Sequence, residues 1–309
     1  MKSVVARPET EDERTRAGIV SALLAYFLWG VLPVYFKLVV DIPAFEVLVH
    51  RIVWAVPFGL AIIMARKQWP EVRRAILDQR TFWLLALAAG LIAVNWLIYI
   101  VAVQEGQIFQ ASLGYYINPL LYVVAGVAFF GEKLRRAQVL AVALAAIGVM
   151  VLTLSGGHLP KIALSLAVLF TLYGIIRKQI VVGGMPGLFI ETLVLFPLAA
   201  LYLLWLTQTG QSSFSAANPE LLIILLLAGP VTVLPLLFFA LAARRLRLST
   251  IGFLQFMAPT LQFFIGVYYG EELTMPHLIC FSLIWLAVGV FVYDAWRLRQ
   301  ERDATIAVT

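Results

Sequence analysis

The sequence predicts an all-α polytopic membrane protein of ten transmembrane helices, arranged as two inverted five-helix repeats. Three observations predict it. The 309 residues are 62% hydrophobic and only 13% charged, with a mean hydropathy of +0.94, whereas soluble domains average about 45–50% apolar and about 25% charged. The apolar residues fall into runs of roughly 17–25, the length that crosses a bilayer core. A late stretch of the chain also repeats the landmarks of an earlier one. The net charge of +6 comes from short basic clusters between the runs, as in cytoplasmic loops, so no nucleic-acid partner is called for.

Residues 1–16 are a polar tail. The first span, 17–37, has transmembrane length and no small-residue cleavage pattern, so it reads as a retained helix and not a signal peptide. Only "VVDIP" (39–43) separates it from the second span, 44–64, which opens behind Pro43. The third, 82–103, follows a basic segment, 65–81. The fourth, 110–130, carries "GYYINP", and the fifth, 137–155, closes the first half. The second half holds spans at 161–177, 187–207, 221–243, 249–270 and 275–296, and 297–309 is a second tail. Residues 17–296 thus form one membrane domain, with repeat one at about 17–155 and repeat two at about 161–296.

Charge sets the orientation. With the N-terminus inside, 20 of the 23 Lys and Arg residues fall on the inner side, Lys37 and Lys161 fall outside, and Arg51 lies within a span. The positive-inside rule then places both termini in the cytoplasm, and the chain in a cytoplasmic (inner) membrane.

The repeat is read from "ASLGYYINPLLYVVAGVAFFGEKL" (111–134) and "STIGFLQFMAPTLQFFIGVYYGEEL" (249–273). Gly114 matches Gly252, Pro119 matches Pro259, and Gly131-Glu132 matches Gly270-Glu271, at separations of 138 to 140 residues. "LAYFLWG" (24–30) echoes "VLFTLYG" (168–174), and Ala89-Gly90 echoes Ala228-Gly229. Five spans per half make the second copy enter from the opposite side, a build common among secondary transporters, whose substrate sits at the repeat interface.

These features, with "AYFLWGVLPVYFK" (25–37), "ASLGYYINPL" (111–120) and "RLRLSTIGFLQFMAPT" (245–260), resemble the EamA branch of the drug/metabolite transporters, and more closely its RarD subgroup. The resemblance covers essentially the whole chain apart from the tails. It implies a ten-helix basket with both termini inside and efflux of small metabolites or drugs as the usual activity. It does not fix the substrate.

Ionisable residues inside a span are costly and default to a functional reading. Glu46 and His50, spaced i, i+4, share a face of the second span. Arg51 lies about 12 Å in from Pro43 at 1.5 Å per residue. Together they are candidates for proton coupling or substrate anchoring. The alternatives are a structural pair between Arg51 and Glu46, or a placement near the membrane surface. Glu191, five residues past Pro186, is the second such acid, with Arg177 and Lys178 as alternative structural partners. Asn95 and Tyr99 (i, i+4), Tyr115, Asn118 and Gln255 are further candidates for lining a substrate cavity, against the plainer reading that the amides hold helices together. Thr260 and Gln262 flank Pro259, and Pro119 and Pro259 are helix-break or hinge candidates. Aromatic walls with a few amides and hydroxyls suit an uncharged or zwitterionic amphipathic solute. Gly131-Glu132 and Gly270-Glu271 read as span ends, and Gly266 with Gly270 forms a GxxxG step that allows a homodimer contact.

The leading function is a secondary transporter, an exporter of a small metabolite or drug-like solute working by alternating access. Its partners are that solute and the lipid bilayer. A channel or a non-transporting membrane sensor is the alternative. No GxxxxGK[ST] loop is present for ATP. HExxH and GxSxG are absent too, so no catalytic residue, metal ligand or cofactor is expected. Cys280 is the single cysteine and can form no intrachain disulfide.

Overall fold

The computed structural model describes residues 11–130, 135–156, 159–214, 218–246, 250–251 and 254–306. No strand occurs among the described residues. The helices are α1 (Glu11–Gly30), α2 (Leu32–Lys37), α3 (Ala44–Ala65), α4 (Trp69–Leu77), α5 (Gln79–Gln104), α6 (Ile108–Phe130) and α7 (Arg136–Gly156) in the first half. In the second half they are α8 (Lys161–Lys178), α9 (Gly184–Gln208), α10 (Pro219–Leu226), α11 (Ala228–Ala243), α12 (Met257–Tyr268) and α13 (Met275–Ile306).

Seven helical stretches among the described residues are long and apolar enough to cross a membrane: 13–37, 44–65, 79–104, 136–155, 184–208, 219–243 and 275–294. The protein is therefore a multi-pass membrane protein. The fourth, sixth and ninth expected spans are the places of α6, α8 and α12. Side chains such as Leu154, Leu198 and Leu201 stand exposed on the exterior, as expected where the solvent is lipid.

Local chemistry sets the helix ends. Asp78 caps α5 by accepting a hydrogen bond from the Thr81 amide at 3.0 Å, and Asn218 caps α10 through the Leu221 amide at 3.1 Å. Gly106, Gly210 and Gly270 take left-handed φ values of 70°, 69° and 80° just beyond α5, α9 and α12, the conformation that closes a helix most cheaply without a side chain. Lys67 does the same behind α3 at φ 54°.

The basic segment 65–81 between the second and third expected spans holds α4, which packs against α5 and α9. One expectation changes. The ninth span was expected over 249–270 with Pro259 as a break near its middle. Instead the chain turns at Gln255 and Phe256, and the helix restarts at Met257, so Pro259 stands in the first turn of α12. Proline is tolerated there because its missing N–H has no partner to lose. Pro119, by contrast, lies inside the continuous α6. Gly131, Glu132, His158 and Gly252 lie outside the described residues.

Packing joins the two halves throughout. The α3 helix lies against α9 and α11, α8 against α5 and α6, and α1 against α11 and α12, while α7 and α13 pair with each other. Three close approaches show how near the helices come. A Cβ on Gly229 of α11 would overlap the Trp54 carbonyl of α3. One on Gly30 would meet Leu261 at 2.6 Å, and one on Gly174 would overlap the Tyr122 ring. Gly266 faces Phe109 of the same chain, so this half of the GxxxG step is used internally.

Candidate functional site

The first two turns of α3 are enclosed on nearly all sides, and Glu46, His50 and Arg51 are 1%, 0% and 3% exposed. The residues around them come from distant sequence. Glu46 accepts hydrogen bonds from the Ser213 amide (2.7 Å) and the Ser213 hydroxyl (3.0 Å) in the segment between α9 and α10. Phe214, next in that segment, covers the His50 ring at 5.3 Å and the Trp54 ring at 5.7 Å. The Trp54 indole N–H, a donor only, gives its hydrogen bond to His50 Nδ1 at 3.1 Å. The histidine proton is thereby placed on Nε2, which faces Glu46 Oε1 at 3.9 Å. The histidine and the acid are held side by side, beyond hydrogen-bonding distance, and Nε2 is buried without a hydrogen-bond partner.

Arg51 does not pair with Glu46. Five residues apart on a helix, they are separated by roughly 140° around the axis, and each finds its own surroundings. Arg51 donates from Nε to Thr232 Oγ1 of α11 at 3.1 Å, and the Thr232 proton goes to the Ala228 carbonyl at 2.8 Å. The absence of a side chain at Gly229 lets α11 come this close to α3. The guanidinium lies over the Trp96 ring at 4.5 Å and the Phe36 ring at 5.2 Å. Its Nη1 is buried without a hydrogen-bond partner, as is the Tyr99 hydroxyl. The Tyr35, Tyr99 and Tyr115 phenols are near enough to interact with the charge. Tyr99 packs on Phe36 at 5.9 Å and on Tyr115 at 5.6 Å.

The structure therefore groups Glu46 with His50 on one side of α3, and Arg51 with Tyr99 and Tyr115 on another. The two amides face another helix. Asn95 donates to the Leu166 carbonyl of α8 at 3.0 Å, leaving its Oδ1 without a partner, and Asn118 Oδ1 accepts from Thr171 of α8 at 2.8 Å. Gln262 donates to the Trp29 carbonyl and ties α12 to α1, while Thr260 meets the Tyr116 hydroxyl at 2.6 Å. Gln255 is half-buried at the turn before α12. Glu191 sits apart at the start of α9, 3.5 Å from Arg177 Nε, and accepts from Tyr173 at 3.2 Å. Sequence reasoning had not singled out Phe36, Trp54, Ser213, Phe214 or Thr232. Aromatic residues are too common in this chain to mark the first two and Phe214, and nothing in the sequence marked Ser213 or Thr232.

Outside the membrane-spanning stretches, Glu271 accepts hydrogen bonds from the Ile108 amide and, at 2.8 Å, from the Phe109 amide at the start of α6. It was read as a span end, and it also fastens α12 to α6. No cluster of three or more metal-ligating side chains occurs among the described residues.

Residues 16–154 match the model of the EamA-like transporter family. The chain is 45% identical over 293 residues to "Protein RarD" of Salmonella typhi, a match that covers 94% of this chain and 100% of that protein. It is 44% identical over 288 residues to a protein of Vibrio cholerae serotype O1 named as an uncharacterized transporter, covering 93% and 95%. It is 32% identical over 292 residues to the "Chloramphenicol-sensitive protein RarD" of Pseudomonas aeruginosa, covering 92% and 96%. A crystal structure sharing 20% identity has the same fold at a TM-score of 0.59, covering 90% of this chain and 98% of that one.

Proposed function

The chain belongs to the EamA-like transporter family, within its RarD group, and from that membership we propose that it is a secondary transporter exporting a small metabolite or drug-like solute across the cytoplasmic membrane by alternating access. One observation carries the reading. Glu46 and Arg51, on α3 of the first half, are buried and find their hydrogen bonds in the second half, at Ser213 and Thr232. Polar chemistry is thus concentrated where the two halves of the chain meet, which is where an inverted-repeat carrier holds its substrate.

Ten crossings, both termini in the cytoplasm and two inverted repeats are part of the proposal. A two-fold pattern in the packing supports them. The α1 helix lies on α11 as α8 lies on α5, and α1 lies on α12 as α8 lies on α6. The pairs α3–α9, α6–α12 and α7–α13 each join a span to its own counterpart. Gly30 against Leu261 is matched by Gly174 against Tyr122. The His50–Glu46 pair, with its proton on Nε2, supports coupling to a proton gradient.

The test is counterflow in proteoliposomes, with labelled chloramphenicol and a metabolite panel. Chloramphenicol is included because one relative is named for it. A carrier takes up label against its gradient when the vesicles are preloaded with the same solute, and Glu46→Gln and His50→Ala reduce that exchange. Flux without counterflow makes the protein a channel. Binding without flux makes it a sensor.

A further inference from the structure

We infer that Arg51 anchors an anionic group of the transported solute, so that the substrate is an organic acid with an apolar or aromatic body and not an uncharged molecule. The inference rests on the carrier reading and narrows it. The Arg51 guanidinium is buried, and it enters none of the ion pairs formed among the described residues. The acid nearest in sequence, Glu46, is bound to Ser213 on another face of α3. The one hydrogen bond that the guanidinium donates, from Nε, goes to the neutral Thr232 hydroxyl.

The Trp96 and Phe36 faces cover the guanidinium from the side. Aromatic faces attract a cation but take none of the in-plane hydrogen bonds of its fork. Nη1 consequently remains an unused buried donor, and Tyr99, within electrostatic range of the charge, holds a second. A carboxylate supplies what both lack. Its two oxygens accept the guanidinium fork and leave lone pairs for a phenol O–H. A neutral solute would leave the cation uncompensated in a site enclosed by aromatic rings. The same rings, Phe36, Trp96 and Tyr115, suit the apolar body of such an acid.

Binding to the purified full-length protein in nanodiscs tests this, using 3-phenylpropionate, its uncharged amide 3-phenylpropanamide, and 2-phenylethylphosphonate. The native protein binds an acid at least about tenfold more tightly than the amide, a difference of about 1.4 kcal/mol. Whether carboxylate or phosphonate binds better names the oxyanion. Arg51→Met loses the preference, yet without ligand it melts no lower than the native protein, because the Thr232 hydrogen bond and ring contacts it gives up are offset by the relief of burying a cation that has no acidic partner. Arg51→Lys keeps part of the preference. Equal binding of acid and amide, no binding of either acid at millimolar concentration, or an acid preference surviving in Arg51→Met overturns the assignment. Counterflow separates the two failures. Exchange of a neutral solute by native and Arg51→Met protein alike sinks the anion anchor and leaves the carrier standing, whereas no exchange of any solute sinks the carrier.

Discussion

A buried arginine and a half-buried one meet opposite circumstances in this protein. Arg177 lies 3.5 Å from Glu191, which is 1% exposed and also receives a hydrogen bond from Tyr173. Removing one member of a buried ion pair strands the other charge, at about 3–5 kcal/mol. The Arg177 side chain keeps 15% exposure, which places the cost near the lower end. Arg177→Met is therefore expected to lower the unfolding free energy by about 3 kcal/mol, and Arg177→Met with Glu191→Gln to recover most of it. Unfolding in mixed micelles measures both, and a double variant no more stable than the single one would show that the pair is uncoupled. Arg51 has no acid to strand. Its hydrogen bond contributes about 1.5–3 kcal/mol and each aromatic face about 0.5–2, against a desolvation penalty of several kcal/mol. These nearly cancel, so Arg51 adds little to the fold. Sequence alone could flag Glu46, His50, Arg51 and Glu191, because ionisable residues inside apolar runs are rare. It could not separate the paired arginine from the unpaired one. Arg177 and Glu191 are near in sequence, but the partners of Glu46 and Arg51 lie 167 and 181 residues away.

At the level of elements, three interruptions share one cause. The first span breaks at Val31 before Pro33, the eighth at Leu227 before Pro230, and the ninth at Gln255–Phe256 before Pro259. Proline cannot supply an amide to the preceding turn but suits the first turn of a helix that restarts. Pro57, Pro119 and Pro197 nevertheless lie inside continuous helices. The position of a proline in the sequence thus marks where a helix is free to break, while packing decides whether it does. This is why the helices themselves were legible from apolar run length and both Pro119 and Pro259 could be flagged as break candidates, but not that the helix breaks before Pro259 and runs on through Pro119. The Glu271 cap on α6 was hidden for a similar reason, since its amide partners stand 163 and 162 residues away. Burial holds the Glu271 carboxyl above its ordinary value of 4.5, outweighing the two amides and Lys37, which favour the charged form. The folded protein then keeps this proton at a pH where the unfolded chain has lost it, so stability falls as pH rises from 4.5 through the raised value. Glu271→Gln is expected to remove that part of the pH dependence. Thermal midpoints of the two proteins across this window decide it, and parallel curves would sink the idea.

The whole molecule raises the question of how many times the chain crosses the bilayer. Among the described residues, seven stretches are long and apolar enough by themselves. The proposed ten crossings add α6, α8 and α12, of which α8 carries Lys161, Arg177 and Lys178 at its ends and α12 has only 12 residues. The two counts place some residues on opposite sides. With seven crossings and the N-terminus inside, Arg136 would face outward and Leu159 inward. With ten, Arg136 faces the cytoplasm and Leu159 the exterior. Gln211 is outside and Val181 inside under both. All four side chains are exposed. The positive-inside rule favours ten, since seven would put Arg135, Arg136 and the basic end of α13 on the outer side. The only native cysteine, Cys280, is buried, so Cys280→Ser gives a thiol-free background for single replacements. In intact cells a membrane-impermeant maleimide is expected to label Leu159→Cys and Gln211→Cys at once, and to label Arg136→Cys and Val181→Cys only after permeabilisation. If Arg136→Cys labels from outside while Leu159→Cys does not, the ten-crossing arrangement falls. The inverted repeat falls with it, because five crossings per half are what turn the second half over. The buried Glu46, His50 and Arg51 cluster would then need a different account, one that does not rely on two halves exchanging roles across the membrane.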